Sequence, residues 1–300
     1  MTWADCKILV NSRINGICFT GDIVTGSIVL EFKEEQRIKA ITFKVLGTSK
    51  ARWSRSSPTM PFIRIYSEKV KLFYVNINVF HQIIGQKVLP GTVNYPFHFS
   101  LPPDLPSSFR DSIASVYYRI VIQNTLSYKM KQKKVFPLRI ISTVNITHIK
   151  DYNVPSYFEI NKKFKNTNDF SLIVRTYKVF APLQRIPFQV LITNESKVTI
   201  TKINIYLIQK LHYSIYSGYY ETEKKICKAA YKNISLNATR ETCNFIIDIP
   251  QVLPSTINFV KPMINISYVF KVIAYFRWHL PVYMDVPVVI GTTPVHHLEF

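Results

Sequence analysis

Acidic residues are the scarce component of this 300-residue chain: eighteen Asp and Glu stand against thirty-eight Lys and Arg, a formal net charge of +20. Glycine is scarce as well, at 8 residues, too few for the Gly-rich loop that cradles a phosphate. The seven histidines (His81, His98, His148, His212, His279, His296 and His297) show no HExxH or other metal-ligand spacing, and neither GxSxG nor a P-loop is present. No enzyme activity, cofactor or metal is therefore expected, and His296 and His297 read as a frayed tail. Cys6, Cys18, Cys227 and Cys243 lack CxxC spacing, which argues against a zinc ribbon or redox motif and for reduced, mostly buried thiols.

Long apolar runs are missing too. None approaches the roughly eighteen residues that span a bilayer. The N-terminus "MTWADCKILVNSRING" carries an early acid and has no small-residue cleavage site, so no secretory signal is expected. Five glycosylation sequons, at Asn145, Asn194, Asn233, Asn237 and Asn265, are then read as chance products of an Asn-, Ser- and Thr-rich chain.

What the chain does have is apolar residues in strand period. The hydrophobic fraction of 47% is enough for real cores, and 300 residues suggest two of them. In "IKAITFKVL", Ile41, Phe43 and Val45 share one face while Thr42 and Lys44 take the other. "TITKINIYLIQ" repeats this with Ile203, Ile205 and Leu207 against Lys202, Asn204 and Tyr206. Such runs, separated by Pro, Asn and Ser clusters, predict an all-β chain of antiparallel sandwiches with one wet face per sheet.

The sequence also repeats itself. In "YPFHFSLPPDLPSSF" and "NFIIDIPQVLPSTINF", Phe97, Pro102, Leu105, Pro106, Ser107 and Ser108 overlie Phe245, Pro250, Leu253, Pro254, Ser255 and Thr256. Earlier in each copy, Val24, Gly26, Ile28 and Leu30 overlie Ile186, Phe188, Val190 and Ile192, and Ile38, Ile41, Phe43 and Val45 overlie Ile200, Ile203, Ile205 and Leu207. The second copy is the shorter, and "KARWSRSSPTMPFIRIY" against "LHYSIYSGYY" is where the loss is expected. Proline cannot donate to a ladder, so Pro102 and Pro106 should end one strand and stiffen the crossing to the next, which opens at Tyr117 and Tyr118. Pro250, Pro254 and Tyr268 are their counterparts.

These segments, with "GDIVTGSIVL", "SVYYRIVI", "IPFQVLITNESKVTITKINIYLIQ", "ISYVFKV" and "VPVVIGTTP", resemble the arrestin family, specifically the arrestin-domain-containing proteins or α-arrestins. The resemblance runs from about Cys6 to Pro294. It implies two tandem immunoglobulin-like sandwiches: an arrestin N-like domain over 1–145, a hinge over 146–158, an arrestin C-like domain over 159–294 and a short tail over 295–300. It further implies a non-enzymatic intracellular adaptor that binds the cytoplasmic tails of membrane receptors or transporters and directs their endocytosis, sorting or ubiquitin-dependent trafficking. Such a protein would be cytoplasmic and peripheral at the plasma membrane or endosomes. The alternative is a sorting-coat subunit, similar to the retromer arrestin-fold subunit, that works by stable assembly. Where many members have Pro-Gly-Glu before the second strand, this chain has Thr20-Gly21-Asp22 and Pro182-Leu183-Gln184. Its one Pro-Pro pair, Pro102-Pro103, runs into Asp104-Leu105, so a PPxY link to a ubiquitin ligase is not expected.

The charge excess points to an acidic partner, a phosphorylated tail or an anionic lipid surface. Lys129, Lys131 and Lys133 would share one strand face, with Lys134 opposite and Lys7 contributing from the first strand, where the resemblance puts a tail-binding surface. Lys50, Arg52 and Arg55 around Trp53 form a second cluster, with Trp53 itself expected in the core. The alternative for both is a solvated hairpin whose charges discourage edge pairing. With no RNA-binding module or helix-turn-helix pattern, nucleic acid is not an expected partner, and the chain is expected to work as a monomer.

Overall fold

A computed structural model describes residues 3–12, 16–56, 62–125, 131–164, 169–196, 198–232, 239–257 and 262–295. They form strands β1 (Asp5–Asn11), β2 (Ile17–Phe19), β3 (Ile23–Phe32), β4 (Gln36–Arg37), β5 (Ala40–Arg55), β6 (Arg64–Ile77), β7 (Lys87–Val88), β8 (Gly91–Ser100), β9 (Phe109–Arg110), β10 (Ala114–Thr125) and β11 (Lys131–Ile141). After a single 3-10 turn at Ile146–His148 come β12 (Ser156–Lys163), β13 (Asp169–Thr176), β14 (Val179–Phe180), β15 (Arg185–Asn194), β16 (Ile200–Ile215), β17 (Gly218–Tyr231), β18 (Arg240–Asp248), β19 (Ile264–Phe276) and β20 (Val282–Ile290). The chain divides into two compact units. One comprises Met1–Thr143 with Tyr213–Tyr219 and Val260–Met263; the other comprises Val144–His212, Tyr220–Phe259 and Ile264–Phe300.

Each unit is a sandwich of two main sheets whose strand orders match, and the first adds a separate two-stranded pair, β4 with β7. The first has β1-β3-β8 against β2-β11-β10-β5-β6, with β9 on β10. The second has β12-β13-β15-β18 against β14-β20-β19-β16-β17. The pairing is antiparallel except at β2–β11 and β14–β20, where a short strand joins in parallel at the same place in each copy. Alternation decides which side chains enter the core: Ile41, Phe43 and Val45 in β5, and Ile203, Ile205 and Leu207 in β16, are all 3% exposed or less. The wet faces are less uniform than their pattern predicts, since Asn204 on the outward row of β16 is also buried, its Nδ2 donating to Tyr206 Oη at 3.0 Å.

Register confirms the repeat in the strands and corrects it at the corner. Gly26 pairs with Phe97 and Phe188 with Phe245, in agreement with the overlay. Past the prolines the copies slip by one residue. Ser108 donates its N–H to Ile140 and accepts from Ile140 N at 2.9 Å; Ser255, rather than Thr256, does the same with Ile290. Tyr118 Oη donates to the Pro106 carbonyl at 2.7 Å, and Tyr268 Oη to the Leu253 carbonyl at 2.7 Å. Hydrogen bonding thus equates Pro106 with Leu253, because the acceptor must lie two residues before the serine that pins the last strand. The shortening of the second copy is also split. The β5–β6 tip spans 56–63 where β16–β17 has only 216–217, and the connection 78–90 after β6 is matched by 232–239 after β17.

The turn before the second strand is conserved in geometry though not in sequence. Gly21 N donates to the Leu101 carbonyl with φ of 85°, and Leu183 N to the Ile249 carbonyl with φ of 64°. A glycine takes this left-handed conformation without strain, whereas Leu183, exposed and with a Cβ, does not. Glycine has a second use at Gly47, opposite Tyr118 in the sheet, where an added Cβ would stand 2.6 Å from the Tyr118 ring.

Two outcomes are expected in urea unfolding. Tyr118→Phe strands a carbonyl and should cost about 1–3 kcal/mol. Tyr268→Phe should cost at least as much, because Gln209 Nε2, which donates to Tyr268 Oη at 2.7 Å, loses its acceptor as well. Leu183→Gly should leave the second unit unchanged or more stable by up to about 1 kcal/mol once glycine's unfolded-state freedom is deducted; a clear loss would show that Leu183 is not strained.

Candidate functional site

An open strand edge distinguishes the two otherwise matching sandwiches. β1 occupies in its sheet the place that β13 holds in the second unit, yet β13 is covered on its outer side by β12, with Ser156 to Lys163 pairing Thr176 to Asp169. Among the described residues nothing pairs with the outer side of β1. An unpaired edge presents a row of N–H and C=O groups, and proteins usually blunt one with charge or cover it.

The start of β1 is pinned. Trp3, 2% exposed, exchanges two hydrogen bonds of 3.1 Å with the Gln132 side chain, its N–H donating to Oε1 and its carbonyl accepting from Nε2, while Ala4 N donates to Glu31 O. This contact, made across 129 positions of sequence, brings β1 to the beginning of β11 and so to the lysine run. The alternating burial of β1 puts Lys7 and Leu9 outward, with Cys6 inward.

The predicted patch divides on this frame. Lys7, exposed, lies 3.3 Å from the Asp5 carboxylate. Lys134 pairs with Ile122, whose side chain is buried, so it occupies the inward row at the open end of β11, and its charge reaches both Asp5 and Cys6. Lys133 pairs with Gln123 on the outward row and belongs to a different surface. Lys131 starts β11 and pairs with Thr125, while Lys129 lies outside the described residues. Lys7 and Lys134 thus both act on the Asp5 carboxylate, Lys7 by direct ion pairing and Lys134 by its charge alone. The Asp5 carboxyl is held below the usual carboxylate range, first by the Cys6 backbone N–H at 2.7 Å and then by Lys7. Neither Asp5 nor Gln132 was visible as a site residue in the sequence, since their roles depend on the β1–β11 approach.

The second cluster divides too. Lys50 and Arg52 point outward from β5, whereas Trp53 is 6% exposed and stacks on Tyr66 with centroids 5.5 Å apart. Arg55, on the same row as Trp53 at the strand end, lies over the Tyr66 ring at 5.9 Å. No group of three or more metal-binding side chains occurs among the described residues. Of the sequons, Asn194 donates from its side-chain amide nitrogen to the Val198 carbonyl at 2.9 Å. No helix among the described residues is long and apolar enough to cross a membrane.

The four cysteines are free; Cys6, Cys18 and Cys243 are buried and Cys227 is half-buried. Burial pushes the Cys6 thiol up to about 11, against the pull of Lys134, and that of Cys243 up to about 12. Unfolded thiols deprotonate near their ordinary value, so above it the unfolded chain binds fewer protons than the folded one. Stability should therefore be intact below about pH 8.5 and fall as pH rises through the folded values, a loss that Cys6→Ala and Cys243→Ala should reduce in pH-dependent unfolding midpoints.

Comparison with known proteins agrees with this architecture. Residues 6–147 match the family described as arrestin (or S-antigen), N-terminal domain, and residues 173–295 match its C-terminal domain. An arrestin domain-containing protein of Schizosaccharomyces pombe is 28% identical over 204 residues, 65% of this chain but only 33% of that protein. Arrestin domain-containing protein 5 of Bos taurus is 23% identical over 94% of this chain and 89% of its own length. Arrestin domain-containing protein 4 of Homo sapiens is 24% identical over 93% of this chain and 69% of its own. Two family domains in order, carried on two sandwiches of matching strand order, establish that the chain belongs to the arrestin family and is similar to its arrestin domain-containing members.

Proposed function

We propose that the protein is an adaptor that takes the cytoplasmic tail of a membrane receptor or transporter as an added strand on β1 and directs that cargo into endocytosis, sorting or ubiquitin-dependent trafficking. Arrestin-family proteins act generally as adaptors, by binding partners rather than transforming them. The observation that carries the finer reading is the β1 edge, unpaired among the described residues, whose counterpart in the second unit is covered by β12. Strand addition draws affinity from main-chain hydrogen bonds and specificity from the flanking side chains. Here those are Lys7 and Lys134, which favour an acidic or phosphorylated tail. Asp5, paired with Lys7, acts against the anion, so a bound tail must displace it from Lys7. The protein would work as a monomer at the cytoplasmic face of the plasma membrane or of endosomes.

The test is fluorescence anisotropy of acidic tail peptides, with and without phosphoserine, at two salt concentrations. Lys7→Glu with Lys134→Glu should weaken the phosphorylated peptide at least tenfold, the size expected for losing charge-assisted hydrogen bonds of about 1.5–3 kcal/mol. Asp5→Asn should strengthen it. Hydrogen exchange at β1 should slow on binding. Binding with no protection of β1, and with no effect of either charge change, would remove the edge from the proposal. Recovery from cells of only a fixed soluble complex would move the reading to a coat subunit.

A further inference from the structure

The smaller sheet of each unit ends on one side in a strand that the two copies treat differently, β8 in the first and β18 in the second. Phe97 of β8 and Phe245 of β18 hold the same place in the two registers, so Pro96 corresponds to Asn244. Among the described residues nothing pairs with the outer side of either strand. Proline on an edge strand keeps that edge from pairing. β18 has no proline and no lysine, and its register on β15 runs unbroken from Arg240 to Asp248.

The ladder fixes which groups of β18 face outward. Ile249 N donates to the Gln184 carbonyl at 2.9 Å, one position beyond the Arg185–Asp248 pair. Bonded and non-bonded pairs alternate along an antiparallel ladder, so Ile247, Phe245, Cys243 and Glu241 bond to β15. Arg240, Thr242, Asn244, Ile246 and Asp248 then turn their N–H and C=O groups to the free side. The same alternation, counted from Leu101 N on the Asp22 carbonyl at 3.0 Å, turns the nitrogen of Pro96 outward in β8. Proline thus costs β8 no ladder bond and removes a donor from the middle of its edge. Asn244 keeps that donor.

The five outward residues of β18 are all exposed, with a cation at one end, an anion at the other and an amide at the centre. A second copy of the strand, turned about a two-fold axis through Asn244, runs antiparallel to the first. It sets Arg240 opposite Asp248, Thr242 opposite Ile246 and Asn244 opposite Asn244, so each outward N–H meets a carbonyl and the ion pair is made at both ends. A slip of two residues would place Arg240 against Ile246 or Pro250 and lose both pairs. Asp248 also lies 3.2 Å from Arg185 of its own copy, which leaves a carboxylate oxygen for the second arginine. We propose that β18 pairs in this register with β18 of a second copy, joining two smaller sheets into one across a two-fold axis. The β1 edge belongs to another sheet, so the pairing neither uses it nor rests on the tail-binding reading. The monomer expected above is the dilute form.

The experiment is sedimentation velocity of the full chain from about 1 to about 100 µM. It is run in about 0.15 M salt, which screens the repulsion between copies of net charge +20. Expected is a concentration-dependent dimer, weakened about tenfold or more by Arg240→Asp and restored to within about threefold when Asp248→Arg is added. Asn244→Pro, which copies the device of β8, should weaken it about tenfold or more with an unchanged urea midpoint. Should that variant unfold, the charge exchange still decides, because both side chains are exposed. Residue-resolved amide exchange should slow at Thr242, Asn244 and Ile246 as concentration rises, with Cys243 and Phe245 slow throughout. A chain that stays monomeric over this range, a dimer indifferent to Arg240→Asp, a loss that Asp248→Arg does not restore, or a dimer whose protection spares β18 would each overturn the proposal.

Discussion

The bond from the Tyr118 hydroxyl to the Pro106 carbonyl, repeated by Tyr268 on Leu253, fixes the point at which each chain copy leaves one sheet for the other. A crossing segment buries backbone that has no ladder partner, and an unmet buried carbonyl costs about 1–3 kcal/mol. The proline-rich segments solve this twice. Proline has no N–H to leave unmet, and its restricted φ limits the unfolded chain. The carbonyls are then taken by the tyrosine, and the following serine ties the crossing to the last strand through Ile140 or Ile290. Burial of both tyrosines raises their hydroxyl pKa values, which keeps them proton donors across the working range.

With the corners fixed, the two units differ mainly at their edges. β12 closes the smaller sheet of the second unit, while among the described residues nothing closes that of the first at β1. A free edge beside basic side chains resists pairing with neutral strands and accepts an acidic one, so the charge selects the partner while the backbone supplies the bonds. Trp3 and Gln132 decide where that edge lies, by carrying β1 to the lysines of β11.

The net charge of +20 is therefore not one feature. Sheet register sorts it into at least two surfaces, since neighbouring residues on a strand point to opposite faces. Lys134 goes to the β1 side and Lys133 to the outward face of the larger sheet, although they are adjacent in sequence. Lys50, Arg110, Arg119 and Arg139 are scattered along the chain and share one hollow.

Sequence alone determined the class of fold and its duplication, because period-two alternation and proline punctuation are local signals that survive without knowledge of the partner strand. It also determined the buried place of Trp53. It misplaced the corner by one residue, since the overlay matched Pro106 to Pro254 by identity, whereas the structure matches positions by which carbonyl the tyrosine reaches. The opposite facing of Lys133 and Lys134 was legible from alternation, but the other surfaces that each one joins were not. Which cations meet is set by long-range pairing, such as Ser115 with Lys50 and Trp3 with Gln132, and no local pattern encodes such a register. The β1 edge, unpaired among the described residues, was likewise decided only in three dimensions, because an edge depends on which strands pair and not on the strand's own sequence.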